Sequence, residues 1–167
     1  MHLSWISIST RCCGPSQATR RGLEVYPHPA LVALCGLDTT LKYKAKRGRS
    51  EESRHTAFHR LISCLEAFAT CEPAVDVTAS PRWSRLREIA TASTAHATLD
   101  RCEDEIDAYV CAYIGLYYWT HGLERCRIVG SLAEGYIVTP VTKAQGKCLD
   151  LASANPLPKP RPRQGVT

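Results

Sequence analysis

Long apolar runs are missing from this sequence of 167 residues. None approaches the roughly 18 residues that a membrane-spanning helix needs. The apolar stretch from Leu3 to Ile8 is interrupted by Ser4 and Ser7, and no basic residue precedes it. It is shorter than the ~7–15-residue core of a secretory signal. A soluble, cytoplasmic protein with no membrane partner is therefore expected. No two cysteines have C-x-x-C spacing, although there are nine of them. That argues against a zinc site built from close ligand pairs. Small secreted chains are where disulfide frameworks concentrate, so reduced thiols packed as small hydrophobes are expected, Cys64 and Cys111 above all. There is no G-x-S-x-G nucleophile turn and no glycine loop to cradle phosphate. No aspartate precedes Asp38.

What is present suits one domain of ordinary size. Hydrophobic residues make up 44% and charged residues 22%, which fits a globular chain rather than a disordered one. The net charge of +5 is carried by the ends. Residues 1–22 hold Arg11, Arg20 and Arg21 without an acid, and residues 141–167 hold five cations against Asp150. The middle, 23–140, is left slightly acidic at −2. A basic balance points to nucleic acid when it lies on a folded surface; here most of it does not.

Residues 1–22 carry no sustained period and read as an unstructured or unrelated segment. Leu23–Tyr26 reads as a short strand stopped by Pro27, and His28–Leu34 as a short helix with Pro29 in its first turn and Gly36 after its end. The spacing of Ala57, Phe58, Leu61, Ile62, Leu65 and Phe68 predicts an amphipathic helix over 50–68, capped by Ser50. A second helix is expected over 81–99, with Trp83, Leu86, Ile89 and Ala90 on one side. A third, over 103–119, buries Ile106, Val110, Tyr113, Ile114 and Tyr117, and Gly122 ends it. Arg127–Gly130 and Gly135–Thr139 read as strands around a turn. Residues 141–167 read as a disordered basic tail whose Pro-rich part, Asn155–Arg163, is extended.

Charges in the middle are segregated. Lys42, Lys44, Lys46, Arg47 and Arg49 form a basic run, which reads as a solvated loop or a loop that meets phosphate. Asp100, Glu103, Asp104, Glu105 and Asp107 form an acidic run. Acids in a first helical turn suit the helix dipole, but Asp107 lies in line with the buried stripe. A buried carboxylate needs a partner or a metal. Glu24, inside an apolar strand, either points to solvent or joins these acids across space. Carboxylates from separate elements are how Mg²⁺ is held. His55 and His59, four apart, read as a solvated or partly buried pair.

Four segments in order carry a family resemblance: Glu24-Val25-Tyr26-Pro27-His28-Pro29-Ala30, Leu41-Lys42-Tyr43-Lys44, the run from Glu103 to Tyr113, and Gly135-Tyr136-Ile137-Val138-Thr139-Pro140. Over 23–140 the chain resembles the family of domains of unknown function numbered 429, described as predicted nucleases with an RNase H-like fold. The resemblance implies an α/β class, a partial RNase H-like fold lacking its first strands, with several amphipathic helices and few short strands. It implies Glu24 as the fourth-strand acid and Asp104 and Asp107 as last-helix acids, together catalytic and metal-binding, with Mg²⁺ as cofactor. The Asp107-Ala108 step is similar to Holliday-junction resolvases. Lys42, Lys44, Lys46 and Arg47 would meet nucleic acid. The family's opening Gly-x-Asp strand has no counterpart in 1–22, which predicts the second half of a domain. The expected function is a metal-dependent nuclease, truncated. The alternative is a non-catalytic remnant or nucleic-acid-binding module, self-associating or completed by another chain.

Overall fold

In the computed structural model the described residues are 5–10, 19–93, 95–131 and 133–154. These residues are mostly helical, with two short antiparallel strand pairs among them. Ser50 caps helix α2 (Glu51–Ala67) by accepting a hydrogen bond from the Ser53 amide, and Glu51 and Glu52 occupy its first turn, where the dipole favours acids. The inner face of α2 then buries Phe58, Leu61, Ile62 and Leu65. Helix α1 (Pro27–Leu34) starts on proline, which has no amide proton to satisfy there, and buries Ala30 and Leu31. Helix α3 (Pro81–Ala92) contributes Trp83, Leu86 and Ala90 to the same core. Ile89, expected beside them, is exposed.

The long helix α4 (His96–Arg125) supplies the central stripe of Leu99, Ile106, Val110 and Ile114. The Tyr113 ring stacks on Phe68 at 3.8 Å. The expected continuous helix over 81–99 is broken at Ser93, whose backbone is extended. The Ser93 hydroxyl accepts from the Ala95 amide, a local bond that competes with helix hydrogen bonding. Gly122, at φ 54° and ψ −145°, kinks α4 near its end, a conformation open to glycine at little cost.

Strands β3 (Cys126–Ser131) and β4 (Gly135–Pro140) pair antiparallel from Cys126 opposite Pro140 to Ser131 opposite Gly135. Gly130 is required there: a Cβ would run into the Gly135 carbonyl oxygen. Two departures concern the chain's ends. Residues 5–10 and 19–22, expected to lack regular structure, belong to strands β1 (Trp5–Thr10) and β2 (Thr19–Glu24), paired antiparallel with Trp5 opposite Glu24; the strand expected over 23–26 is the end of β2. The alternation of Ile6 and Ile8 with Ser7 and Ser9 is the period of a strand. Val25, just after β2, bridges Val138 of β4 in parallel, so the two strand pairs meet there.

The second departure is helix α5 (Lys143–Ala154), where a disordered tail was expected. Its start is a capping box. The Thr142 hydroxyl accepts from the Gln145 amide, and the Gln145 side chain accepts from the Thr142 amide. Arg127 donates two hydrogen bonds to Asp150, at 2.9 and 3.0 Å. The Pro-rich segment Asn155–Arg163 lies outside the described residues.

Cys64 departs from its expected reduced state. A disulfide joins it to Cys35, at the end of α1, with the Cα atoms 5.8 Å apart, a separation a disulfide spans. The two are 29 positions apart, and nothing in their local patterns relates them. Cys111 is buried in α4, as expected of a small hydrophobe. No helix among the described residues is long and apolar enough to cross a membrane.

Candidate functional site: an acid–base centre around Asp107

The connection between α1 and α2 crosses α4 because alternate residues anchor it. Leu41 and Tyr43 are buried, while Lys42 between them is exposed. Tyr43 packs edge-on against Phe58, with ring centroids 5.7 Å apart. This placement aims the Tyr43 hydroxyl at α4, where it donates to Asp107 Oδ1 at 2.6 Å. Lys44, next in the chain, pairs its ammonium with Asp107 Oδ2. Asp107 is only 7% exposed, as the inward stripe predicted. Both of its oxygens are therefore engaged by the loop.

One helical turn earlier, Glu103 continues the same face. Its Oε2 accepts from the Ala45 amide at 3.1 Å and from Arg54 at 2.9 Å. The Arg54 side chain is fully buried, and its donors are nevertheless answered. Nε donates to the Tyr43 carbonyl at 2.6 Å, and the fork pairs with Glu103 and with Asp100 at 2.7 Å. The Arg49 guanidinium donates to the Lys44 carbonyl. A buried guanidinium without such partners would cost several kcal/mol. Asp100, Glu103 and Asp107 share one face of α4 by the i, i+3, i+7 spacing.

The neighbours set the protonation states. Burial and the Asp107 charge push the Tyr43 phenol far above its ordinary value, so it stays a hydrogen-bond donor. Burial pulls Lys44 down, but the hydrogen bond and charge of Asp107 outweigh it and hold Lys44 above its ordinary value as a cation. The His28 ring sits 5.1 Å from the Tyr43 ring and 5.5 Å from Tyr26. Burial lowers its basicity, Lys44 and Arg49 lower it further, and Asp107 opposes them. Its buried Nδ1 has no hydrogen-bond partner among the described residues.

The sequence-predicted residues separate in space. Asp107 is at the centre. Asp104 is exposed on α4, and Glu24 is half-buried at the end of β2. No group of three or more His, Cys, Asp or Glu side chains that could hold a metal is found among the described residues. Asp107, its oxygens taken by a cation and a hydroxyl donor, does not fit a Mg²⁺ ligand in this arrangement. Lys42, Lys46 and Arg47 are exposed, whereas Lys44 turns inward. His55 and His59 have ring centroids 4.5 Å apart; His55 is partly buried with Nε2 3.1 Å from the Thr91 carbonyl, and His59 is exposed.

Sequence reading missed Arg54, Glu103, the donor role of Tyr43, and His28. Arg54 was detectable, since it lies on the α2 face that buries Ala57, Phe58 and Leu61. A family model described as a protein of unknown function (DUF429) matches residues 10–130. No curated protein and no solved structure matches the chain.

Proposed function

The chain belongs to the DUF429 family, and from that premise we propose that it binds the phosphate backbone of nucleic acid without cleaving it, on an α/β frame of RNase H-like kind. One observation carries this reading: both oxygens of Asp107 are engaged, by Tyr43 and Lys44. The basic loop thereby does two things. Its inward residues, Tyr43 and Lys44, close the acidic centre. Its outward residues, Lys42, Lys46 and Arg47, stay in solvent, where they meet phosphates.

Contacts of this kind weaken steeply with salt, by about 0.9 in the log–log slope for each phosphate contact on duplex DNA. The test is fluorescence anisotropy with a labelled duplex across a salt series. Replacing Lys42, Lys46 and Arg47 together by glutamine should flatten the slope by about 2.7. Salt-insensitive binding, or none, rejects the proposal.

The metal-dependent nuclease is the second reading. A carboxylate as buried as Asp107, whose charge acts on a His28 ring with no hydrogen-bond partner for Nδ1 among the described residues, favours it. Glu24, Asp104 and Asp107 form no metal-holding group of three among the described residues. Cleavage of the labelled duplex that needs Mg²⁺ and is lost in Asp107→Asn would establish this reading over the first.

A further inference from the structure

A cleft of about 200 Å³ opens between α3 and α4, lined by three arginines and one acid. Arg82 is already committed. It clamps Glu105 through two bonds, at 2.5 and 2.8 Å. Arg85, from α3, and Arg101, from α4, are exposed, and neither has a hydrogen bond or ion pair among the described residues. The walls between them are mainly apolar, with Thr98 the one neutral polar residue: Leu86 and Cys102 are buried, and Ile89 is an exposed aliphatic side chain on the same helix as Arg85.

We propose that this cleft binds a small aromatic phosphomonoester, with its phosphate between Arg85 and Arg101 and its ring on Leu86 and Ile89. The ligand class follows from the donor count. A carboxylate saturates one guanidinium fork, whereas a phosphate dianion presents oxygens to two. The apolar wall calls for a flat, apolar body beside that charge. The volume is below the ~300–1,000 Å³ of drug-sized pockets, so the ligand is compact.

The cleft is separate from the Asp107 centre. Glu105 and Asp107 are two residues apart on α4, about 200° around the helix, so they face nearly opposite ways. Binding at one leaves the side-chain contacts of the other intact.

Calorimetry on the full chain, with phenyl phosphate as probe, tests the proposal. Inorganic phosphate and phenol are the comparison ligands. Phenyl phosphate should bind at least tenfold more tightly than either. The double variant Arg85→Gln with Arg101→Gln should lose at least tenfold of that affinity. Both residues are exposed, and circular dichroism verifies that the variant stays folded. Ile89→Ser should weaken phenyl phosphate and leave inorganic phosphate unchanged. Equal affinity for inorganic phosphate would reduce the cleft to surface cations and overturn the proposal. So would undiminished binding in the double variant, or no binding of phenyl phosphate at millimolar concentration.

Discussion

Replacing Asp107 by asparagine keeps the side chain's shape and removes its charge. In the native protein one oxygen accepts from the Tyr43 hydroxyl and the other pairs with Lys44. Asparagine still offers Tyr43 an acceptor. It presents an amide donor to the Lys44 ammonium, however, and leaves that cation without its counter-ion. A hydrogen bond to a charged group contributes about 1.5–3 kcal/mol, and breaking a fully buried pair costs about 3–5 kcal/mol. The Lys44 side chain is 32% exposed, so water recovers part of the loss. The expected net destabilisation is about 2 kcal/mol. With a urea m-value of about 2 kcal/mol/M, the unfolding midpoint should fall by about 1 M at unchanged m. Asp104→Asn, on the exposed side of the same helix, should stay within about 0.5 kcal/mol of the native protein. A neutral or stabilised Asp107→Asn would refute the reasoning. Removing an acid held in place for function at the expense of stability commonly stabilises a protein, so that result would point to a functional carboxylate.

Two further outcomes follow from the same geometry. His28 is pressed below its ordinary value by burial and by Lys44, so folding favours its neutral form. Its contribution is present above the unfolded value of about 6.5 and is lost as pH falls toward the folded value, with a slope of at most about 1.4 kcal/mol per pH unit for one proton. His28→Gln should flatten the stability profile as pH falls below the unfolded value of about 6.5, and an unchanged profile counts against the placement. The Cys35–Cys64 disulfide closes a loop of 29 positions, for which chain entropy gives about 3.6 kcal/mol. Dithiothreitol, or Cys35→Ser with Cys64→Ser, should lower unfolding stability by an amount of that order, and an unaltered midpoint would show that no such bond constrains the chain.

Sequence made the helical frame legible because burial there follows the helical period. Phe58, Leu61 and Leu65 on α2, and Ile106, Val110 and Ile114 on α4, are buried where their spacing placed them. The inward aim of Asp107 came from the same argument. Two elements were missed because their signals were short: the four-residue capping box at Thr142, and the alternation in 5–10. The disulfide was invisible because it depends on how α1 and α2 cross, which local pattern does not encode. The centre itself was half legible. The basic and acidic runs were seen as separate features, and their pairing emerges only once Leu41 and Tyr43 fix the path of the loop across α4. The family resemblance pairs Asp104 with Asp107 as last-helix acids. Burial separates them: the stripe edge runs between the two, leaving one in solvent and one against Tyr43.

The central claim is that Tyr43 and Lys44 close the Asp107 centre. Titrating the full chain with Mn²⁺, as a spectroscopic stand-in for Mg²⁺, and counting bound ions by electron paramagnetic resonance tests it directly. The account predicts no stoichiometric site, and an identical titration for Asp107→Asn. One ion bound per chain in the native protein and lost in Asp107→Asn would contradict it.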